Sequence, residues 1–302
     1  MAIYLIVLVH QLVHQNYKAM KKILVPCDFS KPAISAYRQA LDFAAQENGM
    51  IFLLHVIEPP ILQDTMLMPT LNFEEELMKE MKEKAETEFK GLIKKHESEN
   101  VKVRFEIQYG AVPTTIQEFI KENEIDTVVM GSTGANGFKE YFIGSNAERV
   151  VRQSEVPVLV VKNYREQPVK NIIFPNDLDV EHQEDLINKI KDQQHLFNAK
   201  LHIVYVNTPD NFVSDTVTRP LLQQFADRFL LKNYTINVFN HVSTEEGVIE
   251  FTKLMDGDMI TIGTHGRKGI NHLMRGSIAE NIVNHTQCLI WTYKLKNELV
   301  EA

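Results

Sequence analysis

One spacing occurs twice in this sequence at a fixed offset. Gly131, Gly134, Gly144 and Ser145, in GSTGANGFKEYFIGS, are matched 132 residues later by Gly263, Gly266, Gly276 and Ser277, in GTHGRKGINHLMRGS. Each copy follows an apolar run of strand character and precedes a run of helical character. One such match among 13 glycines in 302 residues constrains little, but two in the same local context mean an internal repeat. A repeat of that period divides the chain into two units, each long enough to bury its own core. The polar, proline-containing stretch Asn163 to Val169 reads as the join. The expected layout is an extension over 1–19, a first domain over 20–163, a linker over 164–168, a second domain over 169–295 and a tail over 296–302.

Inside the first unit, KILVPCD (Lys22 to Asp28), MIFLLHVI (Met50 to Ile57), DTVVMG (Asp126 to Gly131) and VPVLVV (Val156 to Val161) are nearly continuous apolar runs, as buried strands of a parallel sheet are. Val101 to Gln108 alternates like an outer strand. Between them lie helical stretches. Ser30 suits an N-cap and Pro32 a first turn, with Ile34, Tyr37, Leu41 and Ala44 on one face. Asn72 to about Ser98 carries Phe73, Leu77, Met81 and Phe89 near helical spacing, acids early and Lys94 and Lys95 late, which suits the helix dipole. Val112 to Asn123 and Ser145 to Ser154 complete the helices. The second unit repeats the programme: strand Asn171 to Asp177, helix from about Val180, strand Lys200 to Val206, helix near Leu221 to Leu230, strand YTINVFN, helix from Thr244, strand DMITIG, helix from Ser277 and strand CLIWTY. It is shorter by 17 residues, and the loss falls between Val206 and Ser243. Strand and helix in alternation imply right-handed crossovers, a parallel sheet and a ligand at the carboxyl ends of the strands. The apolar last strands, Val156 to Val161 and Leu289 to Tyr293, would be aggregation-prone edges, so they are expected to pair as an intrachain pseudo-dimer.

Charge narrows the function classes. Acids outnumber bases 40 to 32 with no basic run, which argues against a nucleic-acid partner. Cys27 and Cys288 fall in different units within apolar runs and read as buried free thiols of a reducing cytoplasm. IYLIVLV near the start is too short to span a bilayer and lacks a basic flank and cleavage site, so no membrane partner is expected and the segment reads as an extension ahead of Met20.

Three features converge at the strand ends of each unit: Asp28, Val56 and the loop from Gly131 in the first, Asp177, Val206 and the loop from Gly263 in the second. Glycines let a backbone approach a ligand, and the amides opening the next helix, around Ser145 and Asn146 or Ser277 and Ile278, form an anion site suited to phosphate. A lone aspartate repels phosphate but accepts hydrogen bonds from a ribose hydroxyl or an adenine amine. The competing reading has the glycines making turns and the aspartates capping helices. Arg267, Lys268 and Arg275 stand without an acid in the second loop, whereas the first has only Lys139 beside Glu140, so the second is expected to hold a triphosphate better. There is no GxxxxGK[ST] pattern or evident catalytic base, and His265 and His272 read as solvated loop residues.

The segments GSTGANGFKEYFIGSNAERVVRQSEVPVLVV and GTHGRKGINHLMRGSIAENIVNHTQCLIWT resemble the universal stress protein family, whose ATP-binding members carry this glycine spacing. The resemblance spans about 20–163 and 169–295. It implies an α/β fold of two tandem doubly wound domains, each a five-stranded parallel sheet of order 3-2-1-4-5 flanked by helices. Carried onto this chain, a first nucleotide site would use Pro26, Asp28, Val56, Met130, Gly131, Gly134, Gly144, Ser145 and Asn146. A second would use Pro175, Asp177, Val206, Ile262, Gly263, Gly266, Gly276, Ser277 and Ile278, with Arg267 added for its charge. The implied function is a cytoplasmic stress-response or signalling protein that senses ATP (or AMP/ADP), any Mg²⁺ arriving with the phosphates, with at most slow ATPase activity and a further homodimer left open. A slow ATP-hydrolysing or nucleotidyl-transferring enzyme, and a protein-interaction module with structural glycine loops, are the competing classes. The chain departs from the pattern in two ways. Asp179 stands where the first unit has Ser30, and Thr133 and Ala135 replace the His and Arg common in the family, which His265 and Arg267 keep.

Overall fold

The protein is described from a computed structural model, which covers residues 21–59, 70–132, 145–178, 183–264, 282 and 285–295. The first half runs β1 (Lys22–Pro26), α1 (Lys31–Glu47), β2 (Met50–Ile57), α2 (Thr70–Lys95), β3 (Lys102–Tyr109), α3 (Val112–Asn123), β4 (Thr127–Gly131), α4 (Ser145–Gln153) and β5 (Val158–Val161). The second runs β6 (Asn171–Pro175), α5 (Glu184–Phe197), β7 (Lys200–Asn207), α6 (Asp215–Arg228), β8 (Tyr234–Asn240), α7 (Thr244–Leu254), β9 (Met259–Thr264) and β10 (Leu289–Lys294).

All ten strands form one sheet of order β3-β2-β1-β4-β5-β10-β9-β6-β7-β8, so each half has the expected 3-2-1-4-5 arrangement. Pairing is parallel within each half and antiparallel where β5 meets β10, with Val160 opposite Ile290, Leu159 opposite Trp291 and Val158 opposite Thr292. The Thr292 hydroxyl also donates to the Val158 carbonyl, at 3.2 Å. The two apolar last strands thus cover one another, as the edge argument requires.

Both faces of the sheet are buried, which is why the central strands read as unbroken apolar runs. One core holds Tyr37 and Ala40 of α1, Phe89 of α2, Ile187 and Ile190 of α5 and Phe225 of α6 against Leu159 and Trp291. The other holds Ile116 and Phe119 of α3, Val150 of α4 and Val248 and Phe251 of α7 against Val158 and Ile290. Each core crosses the junction between the halves. On the first face α1 and α5 meet there, with the Phe43 and Phe197 rings 4.9 Å apart.

Ser30 caps α1, its side chain accepting from the Ala33 amide at 3.3 Å, and Pro32 sits in the first turn. Asn48 and Asn198 end α1 and α5 in the left-handed conformation, φ 50° and 49°, which asparagine tolerates. Some boundaries depart from expectation. Helix α6 begins at Asp215 rather than near Leu221, with Pro220 inside it. Proline so early removes only one ladder bond, and the Thr218 hydroxyl supports the first turn by donating to the Ser214 carbonyl at 3.2 Å. Asp126 lies outside β4 because its carboxylate is bound to backbone amides, and β5 starts at Val158 rather than Val156. The expected helix starts at Val180 and Ser277 lie outside the described residues. Cys27 and Cys288 are free and buried. Among the described residues no helix is long and apolar enough to cross a membrane.

Candidate functional site

The central strand of each half ends in a sharp turn that releases an aspartate. After β1 the Cys27 amide donates to the Leu54 carbonyl at 2.8 Å, continuing the ladder, and the thiol is buried, which pushes it up to about 12. Asp28 is exposed. Its Oδ1 accepts from the Ser30 amide at 3.0 Å, and Phe29 between them takes φ 64°. After β6 the Asn176 Oδ1 accepts from the Leu178 amide at 2.8 Å, and Leu178, the counterpart of Phe29, takes φ 67°. Asn176 stands where the first half has Cys27, and Asp177 after it is half-buried. Burial first, and the nearby Asp177 second, push the Tyr205 phenol up from its usual range. A non-glycine residue at positive φ costs free energy that the surroundings must outweigh, and its recurrence in both halves marks these corners as built features.

The neighbouring strands bring in the remaining residues. Pro26 and Pro175 are half-buried at the strand ends, Met130 and Ile262 are buried in β4 and β9, and Asn146 is half-buried in the first turn of α4. Val56 is half-buried at the end of β2. Val206 is buried, because Gly247 of α7 lies so close that a Cβ there would come 2.4 Å from Val206 Cγ1. The second wall is therefore more closed than the first. Asn207 adds to this: it accepts from the Val213 amide at 2.9 Å and donates to the Val213 carbonyl, folding the connection after β7 into a tight loop.

Gly131 and Gly263 have a role beyond ligand approach. A Cβ on Gly131 would lie 2.4 Å from the Pro32 carbonyl carbon and 2.6 Å from the Ala33 nitrogen, so the glycine admits the first turn of α1 against the end of β4. At Gly263 the nearest atom would be Leu186 Cδ2 at 2.7 Å, the tip of a side chain rather than backbone. Two side chains at the strand ends were missed in the sequence. Ser132, directly after Gly131, is buried, and neither its hydroxyl nor the Asn176 Nδ2 has a hydrogen-bond partner among the described residues. Their adjacency to Gly131 and Asp177 is the sequence signal for them. The structure thus brings together Pro26, Asp28, Val56, Met130 and Gly131 at the carboxyl end of one half-sheet and Pro175, Asp177, Val206, Ile262 and Gly263 at that of the other. Gly134, Gly144, Gly266, Arg267, Gly276, Ser277 and Ile278 lie outside the described residues, as does the side chain of Ser145.

A strand-end aspartate near a buried polar side chain, Ser132 in the first half and Asn176 in the second, is an arrangement suited to a polar ligand at the sheet's switch point. Comparison with known proteins agrees with this architecture. The model of the universal stress protein family matches residues 20–162 and 168–294. A universal stress protein of Methanocaldococcus jannaschii is 31% identical over 153 residues, covering 47% of this chain and 94% of the relative. One from Synechocystis is 21% identical over 292 residues, covering 91% of this chain and all of the relative. Among solved structures, a universal stress protein from Archaeoglobus fulgidus superposes with a TM-score of 0.70 at 20% identity, covering 92% of this chain and 100% of that one. With two segments matched that together take in most of its length, this chain belongs to the universal stress protein family and carries two of its domains in tandem.

Proposed function

We propose that this chain is a cytoplasmic stress-response or signalling protein that binds adenine nucleotide, ATP foremost, at the carboxyl ends of both half-sheets, and senses it rather than turning it over. The observation that supports this most is the convergence, in each half, of a strand-end aspartate, a valine of the next strand and the glycine that opens the motif loop. In this reading Asp28 and Asp177 accept hydrogen bonds from the nucleoside. Ser132 and Asn176 offer it further polar atoms, and the amides opening the helices after Gly144 and Gly276 take the phosphates. Arg267, Lys268 and Arg275 make the second half the stronger phosphate binder, while its closed wall at Val206 makes the first half the roomier nucleoside slot. Among the described residues no three His, Cys, Asp or Glu side chains gather as a metal site. Mg²⁺, where it takes part, arrives with the phosphates.

Native mass spectrometry of the purified chain, followed by calorimetry with ATP and adenosine, tests the reading. Up to two bound nucleotides are expected. Asp28→Ala and Asp177→Ala should each weaken ATP and adenosine alike, by about tenfold for one lost hydrogen bond of about 1.4 kcal/mol. A chain that neither retains nor binds nucleotide overturns the proposal, and a variant that loses ATP while binding adenosine normally moves the aspartate to the phosphate end.

A further inference from the structure

The ten-stranded sheet ends in two strands of opposite character. At one end β3 carries Lys102, Arg104 and Glu106, all exposed, and an edge interrupted by charge resists pairing with another chain. At the other end β8, YTINVFN, has no charged residue, no proline and no glycine, and every residue from Tyr234 to Phe239 is half-buried. Among the described residues β8 pairs with β7 alone. The described chain runs unbroken from 183 to 264, so both connections of β8 are in view.

The backbone of β8 settles which groups face outward. The Asn233 carbonyl accepts from the Leu201 amide at 3.0 Å, and the His241 amide donates to the Asn207 carbonyl at 2.9 Å, so at both ends of the strand the odd-numbered residues turn their peptide groups toward β7. The direction alternates along a strand, which leaves the N–H and C=O groups of Tyr234, Ile236, Val238 and Asn240 on the outer edge. Two apolar side chains flank this row: Leu230 before the strand, 77% exposed, and Val242 after it, 74% exposed, the highest values among the large apolar residues described.

We propose that β8 is a dimerisation edge whose occupant is the β8 of a second copy of this chain, antiparallel about a two-fold axis at Asn237. The strand is self-complementary in that register. Ile236 lies opposite Val238 and Tyr234 opposite Asn240, each pair exchanging two backbone hydrogen bonds through groups that already point outward, while Asn237 faces its own copy. Thr235 meets Phe239, a β-branched and aromatic cross-strand pair. The same alignment brings the end that carries Leu230 beside the end that carries Val242. A slip of one residue would set inward-turned peptide groups against outward ones and lose the ladder. The join repeats the one the chain makes within itself, where apolar β5 meets β10 antiparallel. It does not rest on nucleotide binding.

Sedimentation equilibrium of the full-length chain without nucleotide, from about 1 to about 200 μM, should show reversible monomer–dimer exchange in the micromolar range, as small interfaces give. Val238→Pro removes only an outward N–H, which an edge strand tolerates, and should weaken the dimer about tenfold or more with the circular dichroism unchanged. Leu230→Glu combined with Val242→Glu changes only exposed side chains and sets like charges against each other across the join, so it too should weaken the dimer about tenfold. Asn237→Cys places a thiol opposite its own copy at a non-hydrogen-bonded position, with Cα atoms about 4.5 Å apart, within reach of a disulfide. Mild oxidation should cross-link it, and should not cross-link Leu230→Cys, whose copies lie at opposite ends of the contact. Four outcomes overturn the proposal: a monomer across that range, a dimer that neither charge nor proline weakens or that Asn237→Cys does not cross-link, open-ended polymers (β8 on the β3 of the next copy), or a dimer seen only after removal of residues 1–19 (the chain's own start as occupant).

Discussion

Asp126 and Asp258, 132 residues apart, hold the same post in the two halves. Asp126 Oδ2 accepts from the amides of Lys21 and Lys22, at 3.2 and 3.0 Å, and Asp258 Oδ2 from those of Lys170 and Asn171, at 2.8 and 2.9 Å. Each carboxylate fastens the start of the central strand to the start of the strand that carries the glycine motif. Asp258 has a further duty, because Arg165 reaches it from the connection between the halves.

The Asp258 to Arg165 pair should therefore matter more than a solvated ion pair. Both side chains are largely screened from solvent, at 13% and 26% exposure, and charge-assisted bonds in such settings contribute about 1.5–3 kcal/mol. Asp258→Ala is expected to lower stability in urea by at least that amount. Arg165→Ala should cost less, and the double variant less than the sum of the two, since they share one interaction. Strict additivity would show that the pair contributes nothing as a pair.

A charge at the junction of the halves should separate them. Val158 is 1% exposed, in β5 opposite Thr292, and an aspartate there would be buried without a partner. Val158→Asp should cost about 3–5 kcal/mol and enlarge the radius of gyration in small-angle scattering. Unchanged compactness and stability would mean that the halves are not held through β5 and β10.

Gly131→Ala tests whether that glycine is needed for packing. The added methyl would meet the backbone of Pro32 and Ala33, which belongs to the first turn of α1 and cannot rotate aside as a side chain could. A loss of about 1–3 kcal/mol is expected in chemical denaturation. Gly263→Ala should cost less, because the Leu186 side chain can move.

Acidity should report on Asp192. Burial pushes its carboxyl up to about 6, with Lys189 and His195 opposing and Glu47 adding to the rise. A folded-state value above the unfolded one means that the fold prefers the protonated form, so this contribution to stability is fully present below pH 4 and is lost as pH rises through about 6. Asp192→Asn should raise the melting temperature by a few degrees at pH 7.5 and leave it unchanged at pH 4. Equal effects at both pH values would assign the change to packing.

The fold was legible because it is written in patterns that survive without neighbours. Continuous apolar strands, the Ser30 cap with Pro32 behind it, and the doubled glycine spacing each arise from local chemistry, and the edge argument for β5 and β10 needed only their composition. What was not legible depends on tertiary approach. Nothing in the residue before Ser30 or Asp179 announces φ near 65°, and no pattern shows that Gly131 admits a helix backbone or that Gly247 closes over Val206. Ser132 and Asn176 went unremarked because a serine after a glycine and an asparagine before an aspartate are ordinary turn residues until burial strips them of water. Asp126 reads as part of a strand because its apolar neighbours dominate the window, whereas its bonds reach 104 and 105 residues back.

The antiparallel join between β5 and β10 also fixes directions. Strands of the first half all point one way along the sheet and those of the second the other, so their carboxyl ends lie at opposite poles of one continuous sheet. A group held at one pole is out of reach of the other. Any coupling between the two ends must therefore run through the sheet and its join at β5 and β10.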